Sequence, residues 1–83
     1  MISQQKHLRA IVNQDGAAIL DNESGTITTL NATGAMVWQA LERGDSAEAI
    51  TARLRQLTGE PIEAIREDLA TFIEALTRQN LLP

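Results

Sequence analysis

The hydrophobic pattern of this 83-residue chain changes its period once, at Asn31. From Leu8 to Leu30 the apolar residues form short alternating runs, as β-strands do, and turn-forming clusters at residues 13–16 and 21–25 divide the segment into three. Two turns at that spacing predict a three-stranded antiparallel meander. After Asn31 the apolar residues recur every three or four positions, which is the period of amphipathic helices.

Three helices are predicted in the second part of the chain. Asn31 is the N-cap candidate of the first helix, Asp45 or Ser46 that of the second, and Pro61 lies near the start of the third. Residues that tolerate a left-handed backbone are expected to end them: Gly44, Gly59 and Asn80. The expected fold is therefore α+β, with an N-terminal three-stranded antiparallel sheet followed by three helices.

The apolar stripes of these helices need burial against one face of the sheet, so they give the expected core. Trp38, the single tryptophan, is expected inside, and Leu81-Leu82 are expected to fold back as a clamp. One domain at residues 8–83 is expected after a flexible N-terminus at residues 1–7. The helical core positions are Val37, Trp38, Leu41, Ala47, Ile50, Leu54, Leu57, Ile62, Ile65, Leu69, Phe72 and Leu76.

Composition and charge exclude several function classes. The chain has no cysteine, so disulfides, thiolate chemistry and the usual zinc motifs are absent. Its apolar runs are far shorter than the roughly 20 residues that span a bilayer, and the N-terminus lacks a secretory signal, so a cytoplasmic protein without membrane contact is expected. The net charge of −4 leaves too few clustered cations for a phosphate backbone, so nucleic acid is not an expected partner.

No catalytic constellation stands out in the sequence. His7 is the only histidine and is expected to be a solvated surface residue. The neighbouring acids Glu60, Glu63, Glu67 and Asp68 are expected to form a solvated helical face, and the glycines are spaced as turns and caps rather than as a phosphate-binding loop. We therefore expect a protein that is not an enzyme and that holds no cofactor and no metal.

The segment Thr26–Leu30 is the candidate binding element. Ile27 and Thr29 face one way and Thr28 and Leu30 the other, and the segment is rich in the β-branched residues that favour strands. It carries none of the lysines, prolines or charges that usually protect a sheet edge. Three interpretations stay open: a central strand, an edge covered by a second copy, or an edge that takes an incoming peptide strand.

The order of these motifs resembles the PqqD-like peptide chaperones, also called RiPP recognition elements. Their approximate pattern is a Gly-led apolar strand, an Asp-x-x-x-Gly turn, and a strand that ends in Leu-Asn before a helix with Trp. A Ser-capped helix follows, then a helix with Asp-(Leu/Val)-x-x-Phe-(Ile/Leu)-x-x-Leu and a terminal Gly-Leu. The resemblance covers roughly residues 8 to 82. The matching residues are Gly16–Asp21, Ser24-Gly25, Leu30–Ala35, Val37-Trp38, Leu41, Ile50, Leu54, Asp68-Leu69, Phe72-Ile73, Leu76 and Leu81-Leu82.

The resemblance implies a winged-helix-like fold in which the third strand and third helix form a cleft. The leader segment of a ribosomally made precursor peptide would bind there as an added antiparallel strand. The chaperone would then present it to a separate modifying enzyme, either a radical-SAM protein or the leader peptidase and cyclase of lasso-peptide biosynthesis. The implied peptide-binding residues are Thr26, Ile27, Thr28, Thr29, Leu30, Ile65, Arg66, Asp68, Leu69, Phe72 and Ile73.

The chain departs from the family pattern at two places, and two alternative functions are also considered. Many relatives place Tyr or Trp where this chain has Thr26–Thr29, and Asn80 replaces a glycine near the end.

The alternatives are a winged-helix DNA-binding or transcriptional accessory protein, which the few basic residues do not support, and a dimerisation module formed by two Thr-rich edges. Under the leading hypothesis, Thr28→Pro is expected to remove an edge amide and weaken leader binding without unfolding the domain.

Overall fold

The computed structural model describes residues 7–82 and contains six elements in the predicted order. The α+β prediction, with three antiparallel strands before three helices, is confirmed. Apart from His7, the predicted flexible N-terminus lies outside the described residues, as does Pro83. The elements are β1 (Leu8–Asn13), β2 (Gly16–Asp21), β3 (Thr26–Asn31), α1 (Ala32–Glu42), α2 (Ala47–Thr58) and α3 (Ile62–Arg78).

The sheet has the order β1-β2-β3, so β2 is central. Within residues 7–82, β1 and β3 each pair with β2 alone, which makes both of them edge strands and excludes a central position for Thr26–Leu30. Gly16 lies opposite Asn31, and the φ angle of Gly16 is 147°. A Cβ atom at Gly16 would collide with the Leu30 carbonyl oxygen, so glycine is required where β3 closes against β2.

Side-chain caps fix the starts of the first two helices. The side-chain oxygen of Asn31 accepts a hydrogen bond of 2.8 Å from the Gly34 amide, as predicted. Ser46 caps α2 by accepting an amide hydrogen bond at 3.1 Å, which decides between the two predicted caps. Asp45 instead accepts a 2.8 Å hydrogen bond from Arg43.

None of the helices described for residues 7–82 is long and apolar enough to cross a membrane.

Two apolar clusters form the core. One joins the three helices through residues such as Val37 and Leu69, and the other joins the sheet to the helices through Ile19 and Trp38. The predicted core position of Trp38 is confirmed, because it is 6% exposed. The predicted burial of Leu57 is wrong: it is 64% exposed, since no element described here covers that side of the last turn of α2.

The chain after α3 folds back onto the core. Asn80 adopts a left-handed φ of 57°, and the Leu81 amide then donates a 2.9 Å hydrogen bond to the Leu76 carbonyl. Leu81 is 2% exposed, and its own carbonyl accepts a hydrogen bond from the Trp38 indole. The predicted C-terminal clamp is thus present at Leu81.

Candidate functional site

A cleft of about 450 Å³ opens between the C-terminal half of β3 and α3. The first turns of α1 form its floor, and the end of α2 with the following loop closes one side. Two parts of the chain, β3 with α1 and the end of α2 with α3, therefore meet at one concave surface. The residues that line it are Thr29, Leu30, Asn31, Thr33, Gly34, Val37, Leu54, Thr58, Glu60, Ile65, Asp68, Leu69 and Phe72.

Six of the eleven residues implied as peptide-binding line this cleft. Two come from β3 and four from α3, so the structure brings the strand and the helix together as one surface. Ile65 and Leu69 are buried, Phe72 is half-buried, and Asp68 is exposed. The six are Thr29, Leu30, Ile65, Asp68, Leu69 and Phe72.

The other five implied residues lie outside the cleft lining. Thr26 and Ile27 belong to the first half of β3, farther along the same edge. The Thr28 hydroxyl donates a 3.1 Å hydrogen bond to the side-chain oxygen of Gln79, just beyond α3. Arg66 is exposed on α3, and Ile73 packs against the helical core.

The alternation of hydrogen bonds decides which amides of β3 face outward. Asn22, directly after β2, donates a 2.7 Å hydrogen bond to the His7 carbonyl. Because the direction of hydrogen bonding alternates along an antiparallel strand, the even-numbered residues of β2 form hydrogen bonds with β1 and the odd-numbered residues form them with β3. Thr28 lies opposite an odd-numbered residue, and its amide therefore points toward β2. The amides of Ile27 and Thr29 point to the free side. The prediction that Thr28→Pro removes an amide from the free edge is wrong, because the Thr28 amide lies inside the pairing of β2 with β3.

The floor of the cleft is apolar and includes a glycine, Gly34. A Cβ atom at Gly34 would lie 3.6 Å from the ring of Phe72, 3.5 Å from Leu30 and 3.2 Å from the capping oxygen of Asn31. Glycine at this position therefore keeps space open between β3, α1 and α3. Gly34 is not among the predicted site residues, because a glycine in the first turn of a helix carries no local sign of what packs above it.

The rim of the cleft is acidic. Glu60 and Asp68 are the charged residues in its lining, and both are exposed. Two carboxylates beside an apolar floor favour a ligand that carries a cationic group near an apolar one. Glu60 is exposed as predicted, but it lies before α3 and lines the cleft instead of joining a helical face. The path of the loop before α3 is not readable from the local sequence.

A second group of polar residues lies at the other end of β3, away from the cleft. The side chains of His7, Asp21 and Glu23 come within 4.8 Å of one another, and His7 is half-exposed. Asp21 accepts hydrogen bonds from the amides of Glu23 at 2.9 Å and Ser24 at 3.3 Å. Burial raises the pKa of Asp21, but these hydrogen bonds and the nearby His7 together bring it below its ordinary value. This carboxylate therefore stabilises the β2–β3 turn.

A free sheet edge beside a cleft is the architecture of a protein that binds an extended chain. Residues 16–82 match the family model of coenzyme PQQ synthesis protein D (PqqD), and the chain belongs to this family. The resemblance inferred from the sequence is thereby confirmed. A comparison with curated proteins gives no match.

Two solved structures share the fold over nearly the whole chain. One is TbiB1 in complex with the TbiA(beta) leader peptide, at 25% identity and a TM-score of 0.86, covering 98% of this chain and 94% of that one. The other is lasso peptide synthetase B1 complexed with the leader peptide, at 22% identity and a TM-score of 0.83, covering 94% of this chain and 92% of that one.

Proposed function

We propose that this chain is a non-catalytic protein that binds the leader segment of a ribosomally made precursor peptide and presents it to a separate modifying enzyme. The observation that carries the proposal is the free edge of β3, which runs directly into the cleft beside α3. Membership of the PqqD family supports it, as does the similarity to TbiB1, whose structure contains a leader peptide.

The peptide binds as an added antiparallel strand on β3. The outward amides of Ile27 and Thr29 supply the main-chain hydrogen bonds, which give affinity without regard to sequence. Alternate side chains of the peptide then point toward α3, where Leu69 and Phe72 offer an apolar anchor site. The edge carries no aromatic residue, so we propose that specificity comes from the helix side of the cleft.

The acidic rim selects the chemistry of the leader. Glu60 and Asp68 lie beside the apolar floor, so the preferred leader has a Lys or Arg close to an apolar anchor residue. Asp68, which the family resemblance implies as a peptide-binding residue, would pair with this cation.

The receiving enzyme is proposed to be a leader peptidase or cyclase of lasso-peptide biosynthesis rather than a radical-SAM protein. Both similar structures contain leader peptides, and one of them is a lasso peptide synthetase protein. The proposal also includes a cytoplasmic location and the formation of a homodimer. DNA binding is not favoured, because Arg53 and Arg55 lie on α2 whereas the cleft is rimmed by carboxylates.

The test is a fluorescence-polarisation titration with labelled leader peptides from precursor genes near that of this chain. We expect saturable binding with a Kd of about 1 μM or tighter, since main-chain pairing and a few anchors act together. Unlabelled leader should compete, and the core segment of the same precursor should not. A failure of every such leader to bind the folded protein would contradict the proposed function.

A further inference from the structure

The strand β3 and the helix α3 run in opposite directions on the two sides of the cleft. The Thr28 hydroxyl donates its 3.1 Å hydrogen bond to Gln79, just beyond the C-terminal end of α3. Two residues farther along β3, Leu30 lies close to Phe72, because a Cβ atom at Gly34 would be 3.5 Å from Leu30 and 3.6 Å from the Phe72 ring. The path along β3 from Thr28 to Leu30 therefore follows α3 from its end toward its start.

The two carboxylates of the cleft lie at one end of it. Asp68 precedes Phe72 by four residues, which is about 6 Å along a helix axis, and Glu60 comes before the first residue of α3. Both are thus on the side of Phe72 that faces away from Gln79. Among the described residues that line the cleft there is no Lys or Arg, and Arg66 is exposed on α3 outside this lining. We call this side, defined by Glu60 and Asp68, the acidic end of the cleft.

The pairing of β3 decides which side chains of an added strand enter the cleft. The amides of Ile27 and Thr29 point to the free side, so a peptide strand forms its hydrogen-bonded pairs with these two residues. A peptide residue opposite Leu30 then occupies a non-hydrogen-bonded position, where facing side chains are closest. Its side chain lies on the same face as that of Leu30, toward Leu69 and Phe72. This residue is the apolar anchor of the peptide.

We propose that the cleft recognises a polarity in the leader, in which a Lys or Arg precedes the apolar anchor by about two residues. A strand antiparallel to β3 runs parallel to α3, so its N-terminal side lies at the acidic end. Two residues of extended chain span about 7 Å, close to the distance along α3 from Phe72 to Asp68, and side chains two residues apart share a face. This inference rests on the proposed function, because it takes the leader to be an antiparallel strand on β3.

The same direction decides where the rest of the precursor leaves the protein. The segment that follows the anchor runs toward Thr26, at the start of β3 and away from the acidic end. A leader with the reverse order, anchor first and cation second, would place its cation toward Thr28 and Gln79, whose side chains are uncharged. The reverse order therefore keeps the main-chain hydrogen bonds and loses the charge attraction.

The test uses two synthetic forms of a precursor leader that binds the full-length wild-type chain. Its anchor is identified first, as the apolar residue whose replacement by Ala weakens binding most. One peptide then carries Lys two residues before the anchor and Gln two residues after it, and the reversed peptide exchanges these two residues, so the two have equal composition and net charge. By fluorescence polarisation at low salt, we expect the first peptide to bind about three- to tenfold more tightly than the reversed one.

Two double variants of the protein locate the source of this preference. Glu60→Gln with Asp68→Asn should bind both peptides alike, because the acidic end is neutralised. Glu63→Gln with Glu67→Gln makes the same change in net charge outside the cleft lining and should keep the preference. All four side chains are exposed, and circular dichroism confirms that both variants are folded.

A paramagnetic label measures the direction of the peptide without relying on affinity. A nitroxide attached just before the Lys of the first peptide should broaden the amide signals of Thr33 and Asp68 more than those of Ser24 and Thr26. A nitroxide just after its Gln should give the opposite pattern.

The outcomes separate this inference from the proposed function. Equal affinities of the two peptides, tighter binding of the reversed peptide, or the opposite pattern of broadening would each overturn the polarity while leaving leader binding in place. A preference that persists in Glu60→Gln with Asp68→Asn would also overturn it, since the acidic end would not be its cause. Failure of every precursor leader to bind the folded wild-type chain would refute the proposed function, and this inference with it.

Discussion

The indole Nε1 of Trp38 donates a buried hydrogen bond of 2.9 Å to the backbone carbonyl of Leu81. This bond joins α1 to the chain beyond α3, and both residues belong to the apolar cluster that supports the sheet. The C-terminal segment is thus part of the scaffold that holds β3 and α3 on either side of the cleft.

Trp38→Phe should lower the free energy of unfolding by about 1–3 kcal/mol, because the Leu81 carbonyl would remain buried without its donor. Chemical denaturation followed by circular dichroism measures this change. Leu57→Ala is the control, since a truncation at an exposed position is expected to change stability by less than about 0.5 kcal/mol. Equal stability of Trp38→Phe and the wild type would show that the hydrogen bond does not hold the tail.

Thr29→Pro should weaken leader binding by about tenfold or more while the domain stays folded, because the amide that is lost faces the free edge. Thr29→Val keeps the amide and the side-chain shape, and it should bind within about twofold of the wild type. Thr28→Pro, by contrast, should disturb the pairing of β2 with β3 and lower stability. Tight leader binding by a folded Thr29→Pro variant would argue against strand addition at β3.

Neutralising the rim by Glu60→Gln with Asp68→Asn should weaken the binding of a basic leader by about three- to tenfold at low salt. The difference from the wild type should shrink as the salt concentration rises, since exposed charges are screened. Glu63→Gln with Glu67→Gln makes the same change in net charge outside the cleft lining. Equal losses in the two double variants would mean that the leader senses net charge and not the rim.

Acid should destabilise the domain partly through Asp21. Its pKa is lower in the folded state than the ordinary 3.8, so its stabilising effect is complete above that value and is lost as the pH falls below it toward the folded-state pKa. Asp21→Asn should therefore reduce the melting temperature at neutral pH. Below about pH 4 the melting temperature of this variant should fall less steeply than that of the wild type. Asp15→Asn, at an exposed turn position, should leave that fall unchanged.

Local chemistry made most of the fold predictable. The caps Asn31 and Gly59 form their hydrogen bonds with residues within one helical turn along the chain. Their capping roles could therefore be assigned from neighbouring residues. The direction of the Thr28 amide could not, because it depends on the register of two strand pairs. The rim position of Glu60 and the exposure of Leu57 depend equally on contacts between distant elements.

The position of the single tryptophan gives the protein an internal fluorescent reporter of its cleft. Trp38 is buried in an apolar cluster, and Leu30 and Phe72 of the cleft lining pack against that cluster. Its emission should therefore shift when a peptide fills the cleft and contacts these two side chains. An unlabelled sample can thus report leader binding through the wavelength and intensity of this emission.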